Sequence, residues 1–223
     1  GLLWTFIGGA SINSYSPGTL GVALFVSAAA HLGIALVSRV MQKGVDYYLV
    51  WVVAATLLTF VAIPIQFGGY AVPSLWMLLA AVLLAVGILR AVPICRWLGL
   101  PISGVANLLF WWQLGAIGVG RGGWLHENAR LLAGLWLIGA GLSLRSLFLE
   151  RVLRKAPRQE VDVGNVVAVM PAVTTFALVY AQAPRPFLAL VWASAALVFI
   201  ALSGRTRDAA LRLSSFAGTV AAV

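Results

Sequence analysis

Residues 62–76, "AIPIQFGGYAVPSLW", interrupt a long apolar run and decide how this part of the chain folds. In a bilayer every backbone N–H and C=O must be bonded within its own helix, so a non-helical bend is acceptable only at the interface or inside protein. The two glycines permit a left-handed turn, and Pro73 suits the first turn of a following helix. The stretch from Gln66 to Pro73 therefore predicts a bend between two membrane-spanning helices.

The composition extends this interpretation to the whole chain. Of its 223 residues, 62% are hydrophobic and 9% are charged, with a mean hydropathy of +1.00, whereas soluble domains carry about 25% charged residues. A span needs about 20 apolar residues to cross a hydrocarbon core of about 30 Å. Seven segments meet this length, approximately 18–37, 47–65, 72–89, 98–119, 130–149, 163–181 and 187–203. We therefore predict an all-α, polytopic transmembrane helical bundle.

Both ends of the sequence are also apolar. The first residues, "GLLWTFIGG", lack an initiating Met and the basic n-region of a signal peptide. The last residues, "LSSFAGTVAAV", form another apolar run. We expect residues 1–17 to be the tail of a preceding helix and an outer loop, with partial spans at both ends, so that the chain is a fragment of a longer protein.

The basic residues are distributed unevenly between the junctions that separate the spans. Three of the fifteen, Arg121, Arg130 and Arg185, fall at one set of junctions. The other twelve fall at the alternate set: Arg39, Lys43, Arg90, Arg96, Arg145, Arg151, Arg154, Lys155, Arg158, Arg205, Arg207 and Arg212. The positive-inside rule then predicts that connections 38–46, 90–97, 150–162 and 204–209 lie in the cytoplasm, in a multipass protein of the inner (plasma) membrane.

The same charges suggest partners. The run "RVLRKAPRQEVD", residues 151–162, is expected to contact anionic lipid headgroups, at about 1 kcal/mol per basic residue near the surface. We expect Arg145 to extend from the end of its helix towards those headgroups. The other expected partners are the lipid bilayer and the remaining helices of the full-length chain. The net charge of +9 does not lead us to expect nucleic acid as a partner, because no folded soluble module accompanies the basic residues.

An internal repeat is visible when the chain is shifted by 116 residues. Residues 45–66 then align without a gap with residues 161–182, and share an Asp, a Thr-Phe pair and the final Gln. At the same offset Trp76 meets Trp192 and Arg96 meets Arg212. Four crossings return the chain to the same side, so we predict two parallel four-helix repeats, 18–120 and a truncated 121–223.

Glycines and prolines predict local features of the helices. We expect close helix approach at Gly115, Gly118, Gly120, Gly134, Gly139 and Gly141. Pro64 and Pro171 lie in equivalent helices of the two repeats, where we expect kinks.

Two quoted segments carry a family resemblance. "AIPIQFGGYAVPSLWMLLAAVLLAVGILR" (62–90) and "HENARLLAGLWLIGAGL" (126–142) resemble the bacterial predicted membrane proteins called domain of unknown function 2339. The second copy, "ALVYAQAPRPFLALVWASAALVFIALSGR", keeps the Gln and the Trp but has Pro-Arg-Pro in place of Gly-Gly. The resemblance implies a long envelope protein with many spans, and it supplies no catalytic residues.

Three polar residues are expected inside spans. His31 is either a neutral histidine bonded to a neighbouring helix or a titratable functional group. Asn107 and Asn165 are expected to join helices by hydrogen bonds, with contact to a polar substrate as the alternative.

Four further polar residues are expected at helix ends. Asp46 and Asp162 recur in the repeat, where each is expected to cap the start of a helix. His126 and Glu127 offer an acid–base pair, although their spacing is not that of a zinc-binding H-E-x-x-H helix. Alternatively, Glu127 or Asn128 caps a helix that begins at Arg130.

These residues include no carboxylate pair or metal-ligand cluster, and the single cysteine, Cys95, excludes a disulfide within the chain. We therefore predict no catalytic residue, cofactor or metal. The expected function is a non-catalytic scaffold or a subunit for cell-envelope assembly. The alternative is a transporter or lipid-handling protein with a path between the repeats, and a membrane enzyme ranks third.

Overall fold

The computed structural model describes residues 17–41, 45–117, 124–152, 158–182, 184–206 and 212. These ranges contain seven long α-helices, a short 3₁₀ helix at Arg185–Phe187 and no strand. The long helices are α1 (Pro17–Val40), α2 (Val45–Gln66), α3 (Ala71–Leu89), α4 (Pro93–Ile117), α5 (Trp124–Arg151), α6 (Arg158–Gln182) and α7 (Leu188–Thr206). All seven are long and apolar enough to cross a membrane. The prediction of an all-α fold with seven helices of spanning length is therefore confirmed for the described residues.

The bend that the sequence predicts lies between α2 and α3. Phe67 to Tyr70 are outside both helices, and Gly69 has a positive φ of 57°. The Val72 N–H donates to the Gly69 carbonyl at 3.3 Å as the next helix begins. The left-handed position therefore falls on one of the two glycines, and the bend is narrower than the stretch from Gln66 to Pro73.

Three helices begin five or more residues earlier than their hydropathy predicts. Helix α4 begins at Pro93 rather than Leu98. Helix α5 begins at Trp124 rather than Arg130, and α6 begins at Arg158 rather than Val163. The 28 residues of α5 correspond to about 42 Å at 1.5 Å per residue, which exceeds the hydrocarbon core of about 30 Å. Hydropathy locates the part of a helix inside hydrocarbon, whereas the helical hydrogen bonds continue into the polar residues beyond it.

The chain divides into two compact units, one ending at Leu75 and the other beginning at Trp76. In the first unit, α1 and α2 form an antiparallel pair. The rings of Phe25 and Phe67 lie 6.3 Å apart at one end, and the Arg39 guanidinium lies 5.8 Å from the centre of the Tyr48 ring at the other.

In the second unit, α6 packs against α4, α5 and α7. Helix α5 runs antiparallel to α6, because Gly134 faces Leu178, Gly141 faces Pro171, and Phe148 faces Gly164. Helix α4 runs parallel to α6, because Arg96 contacts Glu160 and Asn107 contacts Thr174. The core of this unit therefore forms around α6.

Glycine determines how closely α5 approaches α6. A Cβ on Gly141 would lie 2.5 Å from Pro171 Cγ, and one on Gly134 would lie 2.9 Å from a Leu178 methyl carbon. The prediction of close approach is therefore correct for these two glycines. It is wrong for Gly115 and Gly139, which face open space, because they lie on other sides of their helices. Gly118 and Gly120 lie outside the described residues.

Candidate functional site

Helix α6 carries most of the interhelical polar contacts of the second unit, and its buried face explains why. Its buried residues include Glu160, Gly164, Ala168, Pro171 and Thr174. They recur every three or four positions, so they lie on one side of the helix. Small residues in this stripe let α4 and α5 pack closely against α6. Polar residues of α6 form hydrogen bonds to these two helices.

At the start of α6, Glu160 forms a buried ion pair with Arg96 of α4. The Arg96 Nε donates to one carboxylate oxygen, Nη2 donates to the other at 3.1 Å, and Nη1 donates to the Gly87 carbonyl of α3 at 2.9 Å. The residue Glu160 is 1% exposed. The bidentate geometry is the one that suits guanidinium and carboxylate, and Arg96 thereby joins three helices.

The sequence does not point to this pair. Glu160 falls in the predicted cytoplasmic connection 150–162, and Arg96 is one of the basic residues of the predicted connection 90–97. The spacing of Glu160 could have indicated its burial. It lies one helical turn before Gly164 and two before Ala168, and therefore on the same side of α6. Extending the small-residue stripe backwards by one turn places this carboxylate on the buried face.

Arg145 also differs from its prediction. It is 7% exposed and donates through Nη2 to the Asn165 Oδ1 at 2.8 Å and through Nη1 to the Gly164 carbonyl at 3.3 Å. Its guanidinium carbon lies 5.7 Å from the centre of the Phe148 ring. The side chain does not extend to the headgroups, because it bonds to acceptors of α6 that lie beside it. Asn165 joins two helices, as expected.

Asn107 lies in the middle of the unit and joins α4 to α6. Its Oδ1 accepts a hydrogen bond from Thr174 Oγ1 at 2.6 Å, and its Nδ2 donates to the Ser103 carbonyl at 2.9 Å. The Trp111 indole donates to the same threonine oxygen at 2.9 Å. Asn107 and Thr174 are both almost fully buried. The amide therefore has the interhelical role expected from the sequence.

Arg130 joins α5 to α6 at the end opposite Arg145. When the side-chain amide oxygen of Gln182 faces Arg130, it accepts hydrogen bonds from Arg130 Nε at 3.2 Å and from Nη2 at 2.9 Å. Arg130 is the seventh residue of α5 rather than its first, so the predicted cap at Glu127 or Asn128 is wrong. His126 and Glu127 belong to the first turn of α5, and their side chains lie outside the described residues.

His31 is buried in the first unit but bonds within its own helix. Nδ1 contacts the Ser27 carbonyl at 2.7 Å, and the ring lies 5.2 Å from the ring of Trp51. Among the described residues, the buried Nε2 has no hydrogen-bond partner. The expected bond to a neighbouring helix is therefore replaced by a ring contact with α2. A histidine on a helix can reach the carbonyl one turn earlier, which satisfies one of its nitrogens locally.

The predicted pair of caps at Asp46 and Asp162 is only partly described. Asp162 is the exposed fifth residue of α6, one turn after its start, so it does not cap that helix. Asp46 is the second residue of α2, and its side chain lies outside the described residues.

A cavity lies between α3, α4, α5 and α6 and contains about 450 Å³ of space, including its open side. Its walls are mostly apolar, with Leu84, Leu100 and Val167 among them. Its polar lining residues are Ser103, Asn107 and Arg145. It is thus a hydrophobic space with one charged side chain in its wall.

Within the described ranges no three His, Cys, Asp or Glu side chains are grouped as a metal site. No protein-family model, curated protein or solved structure matches the chain.

Proposed function

We propose that this segment is a non-catalytic helical scaffold of a multipass protein in the bacterial inner membrane, serving cell-envelope assembly. One observation carries the proposal: six buried polar residues of the second unit each bond to another helix. They are Arg96, Asn107, Arg130, Arg145, Glu160 and Thr174. Polar groups in lipid are expensive, and here they hold helices together.

The proposal includes the two parallel repeats and the likeness to domain of unknown function 2339. Helix ends support the repeat, since α2 and α6 end at Gln66 and Gln182, 116 residues apart. Thr59 and Thr175, at the same offset, each donate to the carbonyl four residues earlier at 2.8 Å. An experimental structure of the full-length protein tests this repeat. Residues 45–97 and 161–213 should superpose as helix pairs of one direction, and opposite directions would refute it.

The scaffold is tested by relating the phenotype of the host protein to the amount of folded protein. Variants such as His31→Gln and Asn107→Ser should all follow one curve of phenotype against the amount of folded protein, because a scaffold needs only to be folded. Loss of the phenotype in His31→Gln at unchanged protein abundance would instead favour a proton-linked transporter. His31 is a titratable side chain inside a candidate span, whereas glutamine keeps the hydrogen bonds but does not titrate.

The second candidate is a transporter or lipid-handling protein. The cavity favours it, because an apolar space with a few polar groups is the usual form of a ligand site. Arg145, Ser103 and Asn107 supply those groups.

A further inference from the structure

The cavity between α3, α4, α5 and α6 encloses much less room than its total volume. Most of that volume belongs to its open side, and the enclosed part has room for one or two water molecules. This room is too small for a metabolite or a lipid chain. A water molecule is stable in such a space where roughly two to four polar groups can bond to it. The occupant of the cavity therefore depends on the polar atoms in its wall.

Pro171 leaves one backbone acceptor in this wall without its usual donor. In an α-helix each carbonyl accepts from the N–H four residues later, and Pro171 has no N–H to donate to the Val167 carbonyl. Both residues line the cavity. Helix α5 places Gly141 against Pro171, so that it offers no side chain there. In a bilayer, ordered water is one of the groups that satisfy a carbonyl freed by proline.

Helix α4 contributes two further polar side chains to the same wall. Asn107 Nδ2 carries two N–H groups and donates one of them to the Ser103 carbonyl at 2.9 Å. Ser103 Oγ uses its proton in a bond to the Leu100 carbonyl at 2.8 Å, and its lone pairs can accept. Both residues are 1% exposed, so these groups lie well inside the bundle. The wall thus contains an acceptor on α6 and a donor and an acceptor on α4.

We propose that this cavity binds ordered water at the proline of α6. One water molecule would donate to the Val167 carbonyl and to Ser103 Oγ, and accept from the Asn107 amide. These bonds match the number of about three that a buried water usually makes. Water would then join α6 to α4 where α6 lacks one of its own hydrogen bonds. The site goes beyond the scaffold proposal and does not depend on it.

A structure of the full-length protein in nanodiscs, at a resolution that shows ordered water, tests the site directly. We expect a density peak within hydrogen-bond distance of the Val167 carbonyl oxygen and of Asn107 Nδ2. The matched reference is the carbonyl of the exposed Val166, whose donor four residues later is the N–H of Met170, and no peak should lie there. A map that shows water elsewhere but none at Val167, or a lipid chain in the cavity, would overturn the proposal.

Radiolytic labelling in bilayers gives a second measurement. X-rays form hydroxyl radicals from water, including internal water, and the radicals oxidise the side chains beside it. We expect oxidation of Met77, which lines the cavity and is 1% exposed.

Two serine variants test whether this oxidation comes from water in the cavity. Ser103→Val replaces a polar lining group by a bulkier apolar one and should lower the rate of Met77 oxidation severalfold. The control Ser194→Val changes an exposed serine of α7 that bonds within its own helix, and should leave the rate unchanged. Undiminished oxidation of Met77 in folded Ser103→Val would contradict the site. The density measurement needs no variant, so it decides the question even if Ser103→Val does not fold.

Discussion

Arg96 and Glu160 are 64 positions apart in the sequence and form a buried, bidentate ion pair between α4 and α6. The same guanidinium donates to the Gly87 carbonyl at the end of α3. Helix α4 thereby has its first turn attached to two neighbours. Since a buried charge is costly without its partner, this contact should contribute to the stability of the second unit only as a pair.

Replacement of Glu160 by Ala should lower the free energy of unfolding by about 3 to 5 kcal/mol, because it leaves the Arg96 charge buried without its carboxylate. The double variant Arg96→Met, Glu160→Met should recover much of this loss, since an apolar pair of similar volume needs no compensation. Thermal unfolding in detergent measures both effects. Asp162→Asn is the control, because that carboxylate is exposed two residues further on. Equal small losses in Glu160→Ala and Asp162→Asn would contradict the prediction.

Two glycines of α5 offer a matched comparison of helix packing. Gly141→Ala should destabilise the protein by about 1 to 3 kcal/mol, because the new Cβ would lie 2.5 Å from Pro171 Cγ. Gly139→Ala should be neutral or stabilising by up to about 1 kcal/mol, because its Cβ would meet nothing within 4 Å. Unfolding titrated with SDS in mixed micelles distinguishes them. An equal response of the two variants would show that α5 and α6 are not packed through Gly141.

Adjacent threonines of α6 allow a similar comparison for the central hydrogen bond. Thr174→Val removes the hydroxyl that bonds Asn107 and accepts from Trp111, and should cost about 1 to 2 kcal/mol. Thr175→Val removes a hydroxyl that donates to the Pro171 carbonyl of its own helix, and should cost less.

A double-mutant cycle with Asn107→Leu tests the coupling directly. We expect an interaction energy of about 0.6 kcal/mol, with about 1.7 kcal/mol as the upper end for such bonds in membranes. A coupling indistinguishable from zero would remove the interhelical role of Asn107.

The predicted orientation can be tested by labelling single cysteines in a Cys95→Ser background. Cysteines at Gly68 and Gly122 should react with an impermeant maleimide added outside, and one at Lys43 should not. Gly68 is preferred to Gly69, whose positive φ would strain a cysteine. Reaction at Lys43 alone would reverse the orientation.

The sequence alone determined how many helices of the described residues are long and apolar enough to span a membrane, their approximate positions and the bend after Gln66. The physical reason is that the thickness of a bilayer imposes a minimum apolar length on every span, and a non-helical bend needs residues that permit it. It also indicated the interhelical roles of Asn107 and Asn165, because an amide inside a span must find a partner.

Only the tertiary structure decided which charged residues are buried and what they contact. Arg96, Arg145 and Glu160 lie near predicted junctions, where a sequence does not distinguish a charge facing the headgroups from one facing a neighbouring helix. Their burial depends on where α6 begins and on how α4 and α5 are rotated and aligned against it. Those quantities arise from the packing of three helices together, through contacts such as Gly141 with Pro171, and no single span encodes them.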